Sequence, residues 1–248
     1  MTTSNLPRAV LISLLLGSGL AELSLPHDVQ AENNSGCDDH LGVSIVHADP
    51  AELDLACAAL GDIVSFFQSI DFNIAPTGAL QFADRAIDHT SEGFTAHGFF
   101  DAPQSRIVIF RTSNVSPWGQ QWSSNLAGSF LRHELAHMAI WEVVNRNGVA
   151  LRPEWHEFIA YAIQFDLMES DLRDLLFATR ADARPFEDLL QVNEFISRMD
   201  PELFALAAYE TYLVRGGKQF VGQLLRAEVV PPPFVYPFPV LPGQVPDQ

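Results

Sequence analysis

The chain has 248 residues, 48% of them hydrophobic, and a formal net charge of −17. This length is enough for one substantial hydrophobic core. The negative charge repels phosphate backbones and anionic lipid, so it disfavours nucleic-acid binding and attachment to an anionic membrane.

Residues 1–31 have the features of a secretory signal peptide. Arg8 and the free amine precede an apolar run at residues 9–21, which is shorter than the roughly twenty residues that a membrane span needs. Val29-Gln30-Ala31 offers a small-residue cleavage site, and Gly19-Leu20-Ala21 offers a second one. We therefore expect a secreted or periplasmic protein that is free of the membrane after signal cleavage.

Cys37 and Cys57 are the only two cysteines in the chain. An exported protein can keep a disulfide, so we predict a bridge between the N-terminal segment of the mature chain and the first helix. Its loop of about twenty residues corresponds to a stabilisation of about 3 kcal/mol in the chain-entropy model. Two free thiols are the alternative. Metal binding is disfavoured, because neither cysteine has a Cys or His partner at the usual ligand spacing.

The first half of the mature chain predicts a small sheet with one helix. Residues 43–47, 80–82, 94–100 and 106–111 are rich in strand-forming residues. Between them, Asp49-Pro50 is a good start for a helix that runs to about residue 70.

The second half is predicted to be almost wholly helical after residue 117. We expect an α+β fold: a small N-terminal mixed sheet with a helix, then a mostly helical half. Residues 32–228 form a single domain in this interpretation. Residues 229–248, which contain seven prolines, form an extended C-terminal tail.

Residues 133–137 read His-Glu-Leu-Ala-His, the H-E-x-x-H pattern. On a helix, His133 and His137 lie on one face and can bind one Zn²⁺ ion, while Glu134 can reach a water molecule on the same metal. The flanking residues are apolar, which indicates a buried helix, with Ser116-Pro117 as a possible start and Asn147-Gly148 as a stop. A solvated helix face is the alternative.

A catalytic zinc site also needs a third protein ligand. The extension that would supply a third histidine is absent, because Ile140 and Val143 occupy its positions. The next predicted helix offers Glu157, twenty residues after His137, as the favoured ligand. Glu154 and His156 remain alternatives, as does a site with no third protein ligand.

With these residues the chain resembles the gluzincin metallopeptidases, the thermolysin-like group with H-E-x-x-H and a downstream glutamate. The second motif of its small peptidase families, roughly Pro-x-Trp-x-x-Glu-Gly-x-Ala-x-Tyr, matches in kind at Pro153, Trp155, Glu157 and Ala160. The spacing from Trp to Glu is one residue shorter here, and Phe158 replaces the usual Gly.

The resemblance implies how the other parts of the site are arranged. A Tyr or His away from the metal stabilises the developing oxyanion, which makes Tyr209 a candidate and Tyr212 the reserve; simple packing is the alternative for both. An edge strand lines the cleft and pairs with extended substrate, for which residues 106–111 are the candidate. His97, on the neighbouring strand, could reach the cleft or be purely structural.

The sequence therefore predicts an exported zinc-dependent hydrolase, a metallopeptidase acting on peptide or protein substrates. His133, His137 and Glu157 bind the metal and Glu134 is the general base. The alternatives are a catalytically inactive binding or assembly module of the same fold, and a zinc hydrolase of non-peptide amides. The sequence does not indicate an oligomeric state.

Overall fold

The structure is a computed structural model that describes part of the chain. The described residues are 33–84, 88–89, 94–95, 97–112 and 116–233. The predicted signal peptide at residues 1–31 and residues 234–248 of the predicted tail lie outside them.

Five strands form a mixed sheet in the N-terminal half. Their order is β1-β2-β3-β7-β6, with β2, β3 and β7 parallel to one another and both outer strands antiparallel to their neighbours. These strands are β1 (Asn33–Cys37), β2 (His40–His47), β3 (Gly78–Ala83), β6 (Gly98–Asp101) and β7 (Arg106–Phe110). A separate antiparallel pair consists of β4 (Asp88–His89) and β5 (Phe94–Thr95).

The described residues form one helix between β2 and β3 and six more after β7. They are α1 (Pro50–Gln68), α2 (Ser124–Asn147), α3 (Pro153–Asp166), α4 (Ser170–Thr179), α5 (Glu194–Met199), α6 (Pro201–Val214) and α7 (Lys218–Leu225). The predicted α+β fold, with its N-terminal mixed sheet and helical second half, is confirmed. Within the described residues, no helix is both long and apolar enough to cross a membrane.

Helix α1 begins where the sequence predicts and is covalently attached to the sheet. The Asp49 side chain accepts a hydrogen bond from the Ala51 backbone N–H, which caps the helix next to a first-turn proline. Cys57 of α1 is bonded to Cys37 of β1, with Cα atoms 5.5 Å apart. The predicted disulfide is confirmed, and it fixes the edge of the sheet to the helix.

The prediction that residues 106–111 form the edge strand is wrong. Strand β7 pairs with β3 on one side and with β6 on the other, so it is internal to the sheet. The turn at Ala102–Gln104 folds the hairpin so that its first strand, β6, lies outermost. Sequence order alone does not specify which strand of a hairpin meets the rest of a sheet, because that choice depends on long-range pairing.

The predicted start of the H-E-x-x-H helix at Ser116-Pro117 is also wrong. These residues begin a short 3₁₀ turn, Pro117–Gly119, in which Trp118 has a left-handed backbone with φ of 49°. A continuous α-helix cannot pass through that conformation. Instead α2 begins after Ser123, whose side chain accepts a hydrogen bond from the Leu126 N–H.

The predicted stop of α2 is confirmed. Gly148 ends the helix in the left-handed region, with φ of 65°, where glycine is favoured because it has no Cβ. The chain can therefore turn back within a few residues, and α3 begins at Pro153. Helix α2 packs against both the sheet and α3, and its middle turns are buried between them.

Candidate metal centre

The candidate site lies in the antiparallel interface between α2 and α3. Ser129, His133 and His137 are spaced four residues apart, so they form one stripe along α2. Three residues of α3 face them in reverse order. The opposing pairs are Ser129 with Gln164, His133 with Tyr161, and His137 with Glu157.

His133, His137 and Glu157 form a group that could hold a metal ion, as the sequence predicts. The two imidazole Nε2 atoms lie 3.1 Å apart. The Glu157 carboxylate places Oε2 3.3 Å from His133 Nε2 and Oε1 3.4 Å from His137 Nε2. One ligand atom from each residue lies within 4.8 Å of the others. The group is thus compact enough for a single ion.

The electrostatics of this group favour a charged carboxylate. Burial alone would raise the pKa of Glu157, but the charge of His137 and hydrogen bonds from both imidazoles outweigh it and hold the pKa well below its usual range. Burial opposes the charged form of His137, but Glu157 overcomes that effect and raises the pKa of the imidazole. The three side chains therefore interact strongly even without a cation.

Glu134 lies next to the group and is almost completely buried. Burial raises the pKa of its carboxyl group, although His133 and His137 act in the opposite direction. The Phe100 backbone N–H on β6 is close enough to this carboxylate to lower its pKa, and this is the smallest of these effects. Glu134 thus combines a buried position with the raised basicity that general-base chemistry requires.

The two alternatives for the third ligand lie outside the group. Glu154 is buried, but its carboxylate is 3.1 Å from Arg152 Nη1. The His156 ring stacks 6.4 Å from that of His137, and burial followed by the charge of His137 lowers its pKa to about 4. Of the three candidates, Glu157 is the one whose carboxylate meets both imidazoles.

A tyrosine that the sequence analysis did not select lies beside His133, His137 and Glu157, which are called the metal group from here on. The Tyr161 ring is 4.4 Å from the His133 ring. Burial, followed by the charges of Glu157 and Glu134, raises the pKa of the phenol well above its usual value, so it stays protonated. Its position four residues after Glu157 was the available signal, because that spacing puts both side chains on one helix face.

Tyr209, the predicted oxyanion donor, lies in a different aromatic cluster. Its ring packs 5.6 Å from Phe165, 5.9 Å from Phe177 and 5.8 Å from Tyr212, and the Arg173 guanidinium lies over it. The reserve, Tyr212, donates a hydrogen bond to Asp166. A role in catalysis for Tyr209 stays a prediction, and these contacts are those of a packing residue.

His97 packs among aromatic side chains just before β6. Its ring lies 5.2 Å from that of Trp122 and 4.5 Å from that of Phe130. Burial lowers the pKa of His97 to about 4, and its Nδ1 atom has no hydrogen-bond partner among the described residues. These contacts agree with the structural role that was the alternative for this residue.

Comparison with known proteins provides a family but no activity. Residues 43–232 match the model of a family of unknown function, DUF6639. The protein belongs to this family. The matched region contains Glu134 and all three residues of the metal group, so the site lies within the family domain. No curated protein and no solved structure matches the chain.

Proposed function

We propose that this protein is a zinc-dependent hydrolase, and specifically a metallopeptidase of gluzincin type that acts outside the cytoplasm. The observation that carries the proposal is the convergence of two imidazole nitrogens and one carboxylate from adjacent helices, with the buried Glu134 beside them. Three protein ligands with a neighbouring carboxylate are typical of catalytic zinc sites, whereas structural sites have four protein ligands.

The spacing of the ligand atoms suits zinc. Nitrogen and oxygen ligands lie about 2.0–2.2 Å from a tetrahedral zinc ion, which puts them roughly 3.3–3.6 Å from one another. The separations at this site, 3.1, 3.3 and 3.4 Å, are close to that range. Two imidazoles and a carboxylate are also the donor set of the thermolysin-like peptidases.

Zinc and Glu134 have different roles in the proposed reaction. Zinc, when bound, supplies a Lewis acid that polarises a carbonyl and lowers the pKa of water. Glu134 accepts the proton of the attacking water and returns it to the leaving amine. Its raised pKa suits both steps, because a stronger base removes the first proton and the resulting acid can still donate it.

Tyr161 is the better-placed donor for the developing oxyanion. It faces His133, and its phenol is protonated at neutral pH. A neutral O–H can strengthen its hydrogen bond as negative charge appears on the carbonyl oxygen. In this proposal Tyr161 takes the role that the resemblance assigned to Tyr209.

An extracytoplasmic location is part of the proposal. It is supported by the signal-like sequence of residues 1–31 and by the disulfide between Cys37 and Cys57, since disulfides persist in oxidising compartments.

The decisive experiment combines metal analysis with a peptide digest. The mature protein should contain about one zinc ion per chain and should cleave members of a quenched fluorescent peptide library. Glu134→Gln should keep the zinc and lose cleavage, because the amide cannot accept the proton. Cleavage by Glu134→Gln at the native rate would refute the general-base role, and a purified protein that binds no zinc would refute the metal site.

A binding module is the second candidate function, and one contact favours it. Arg152, just before α3, donates a hydrogen bond from Nη2 to the Pro232 carbonyl oxygen at 2.7 Å. The start of the predicted tail therefore lies beside the helix that carries Glu157. Zinc binding without cleavage of any library peptide, in the intact chain and in a chain ending at residue 233, would favour this function.

A further inference from the structure

The edge strand β6 presents two of its residues away from the rest of the sheet. The Phe110 N–H donates to the His97 carbonyl, so residues 97, 99 and 101 exchange hydrogen bonds with β7 in this antiparallel pair. Gly98 and Phe100 fall in the intervening pairs, and their backbone N–H and C=O groups point away from β7. They are the groups that an edge strand leaves unpaired within the sheet.

One of these outward N–H groups lies close to α2. The Phe100 N–H is near enough to the Glu134 carboxylate to lower its pKa, which points to a hydrogen bond between them. Strand β6 therefore contacts the proposed general base through its backbone, in addition to packing on the helix that carries it. A hydrogen bond to a charged acceptor is among the stronger ones in proteins.

Gly98 allows the strand to come this close. A Cβ atom at this position would lie 3.1 Å from Glu134 Cγ, 2.9 Å from the Val108 carbonyl oxygen and 2.7 Å from Ile109 Cδ1. Contacts below about 3.0 Å force something to move. A side chain at residue 98 would thus clash with the backbone of β7 and crowd the Glu134 side chain.

We propose that β6 is the positioning element for Glu134, with the Phe100 N–H fixing the carboxylate and Gly98 making the approach possible. The positioning of a catalytic base rests on the proposed function, but the hydrogen bond itself does not. The geometry ties the orientation of the base to β6, one of the two outermost strands of the described sheet. Phe100 and Gly98 act through Glu134 and are not themselves catalytic residues.

Amide hydrogen exchange tests the contact without any substrate. In the wild-type mature protein the Phe100 amide should exchange slowly although it faces away from β7. Glu134→Ala should raise its exchange rate about tenfold or more, because the acceptor is lost. Glu134→Gln keeps an acceptor oxygen and should retain much of the protection. The Phe99 amide, which is paired within the sheet, is the internal control. Equal Phe100 exchange in wild type and Glu134→Ala would overturn the proposal.

A proline substitution tests the effect on catalysis. Phe100→Pro removes the N–H, and an edge strand tolerates proline where the N–H faces outward. Phe100→Ala, the matched control, also loses the aromatic ring but keeps the N–H. Phe100→Pro should have a kcat about tenfold or more below that of Phe100→Ala on the best-cleaved library peptide, with similar KM and zinc content. A merely structural defect would lower zinc content and melting temperature as well.

The same measurements distinguish a failure of the positioning role of β6 from a failure of the proposed hydrolase function. Equal kcat for Phe100→Pro and Phe100→Ala, with Glu134→Gln inactive, would overturn the positioning role and leave the hydrolase intact. If no peptide is cleaved, the hydrolase proposal fails, and the exchange experiment still decides whether β6 holds Glu134.

Discussion

The two ends of one helix–helix interface differ in how their polar groups are satisfied. At one end the Gln164 amide donates to the Ser129 hydroxyl at 2.8 Å, and both residues are buried. About one and two turns further along α2, the Nε2 atoms of His133 and His137 approach the Glu157 carboxylate. The first end pairs an amide with a hydroxyl, whereas the second brings together two imidazole nitrogens and a carboxylate, which are common metal ligands.

This difference shows what separates a structural cross-link from a binding site. Both ends arise from spacings of three or four residues on the same two helices, so periodicity does not distinguish them. The Ser129–Gln164 hydrogen bond forms without a ligand, although Gln164 Oε1 has no hydrogen-bond partner among the described residues. Two imidazole nitrogens and a carboxylate can share protons with one another, or they can release those protons and bind one metal ion together. The distinction predicts that substitutions at the two ends change different measurable properties.

The largest effect is expected from removing the Glu157 carboxylate, at the end of the α2–α3 interface that contains the metal group. Glu157→Gln should reduce zinc affinity by more than about 100-fold, since it replaces a charged ligand with a weak neutral one. Chelator should then no longer change the melting temperature of the variant. In the wild-type protein, zinc at a concentration a thousandfold above its Kd should raise the free energy of unfolding by about 4 kcal/mol.

Glu154→Gln and His156→Gln are the matched controls for that measurement. Both residues lie on the first turn of α3 and outside the metal group, so both variants should keep zinc binding near the wild-type level. Competition with a chromophoric chelator measures all three affinities. Loss of zinc from Glu154→Gln, with retention in Glu157→Gln, would reassign the third ligand.

The next largest effect is expected at the tyrosine between the two ends. Tyr161→Phe should lower kcat by roughly 10–100-fold, with little change in KM or zinc content, because it removes a donor to the developing charge. Tyr209→Phe should leave kcat nearly unchanged, since Tyr209 packs among Phe165, Phe177 and Tyr212. Steady-state kinetics on one peptide check both, and the reverse result would restore the role to Tyr209.

What the sequence could predict at this site depended on local geometry. Spacing within one helix places His133 and His137 on one face. Gly148 after α2 allows the chain to reverse direction, so that α3 brings Glu157 opposite the two histidines. The disulfide followed from the prediction that the chain is exported and from the presence of only two cysteines in the sequence. These inferences need only local backbone geometry or a single possible pairing.

The features that the sequence did not predict depend on contacts between distant segments. Whether β6 or β7 forms the edge is decided by the pairing of β7 with β3. The start of α2 is delayed by the turn at Trp118, whose backbone N–H donates to Glu202 Oε1 from 84 residues further along the chain. Tyr161 has a visible helical spacing from Glu157, but its approach to His133 depends on how α2 and α3 pack.

A smaller effect is expected at the cross-linked end of the interface. Ser129→Ala should lower the free energy of unfolding by about 1–3 kcal/mol, because it leaves the buried Gln164 amide without its acceptor. Adding Gln164→Leu should recover much of that loss, since neither polar group then remains. Urea unfolding measures both, and zinc content should not change. A loss of zinc from Ser129→Ala would mean that the two ends are not independent.

The smallest effect is expected at His97, whose Nδ1 atom has no hydrogen-bond partner among the described residues. His97 is held neutral by burial, which lowers its pKa from about 6.5 to about 4. The unfolded chain takes up a proton at a higher pH than the folded protein does, so His97 makes stability fall as the pH drops from about 6.5 towards 4. His97→Phe keeps an aromatic ring between Trp122 and Phe130 and should remove about 1–2 kcal/mol of this loss at pH 5. Urea unfolding of both proteins at pH 7 and pH 5 isolates the difference, because the other titrating groups, including His156, are common to both. An unchanged pH dependence would mean that His97 is protonated in the folded protein, and the contrast between this imidazole and the two of the metal group would then fail.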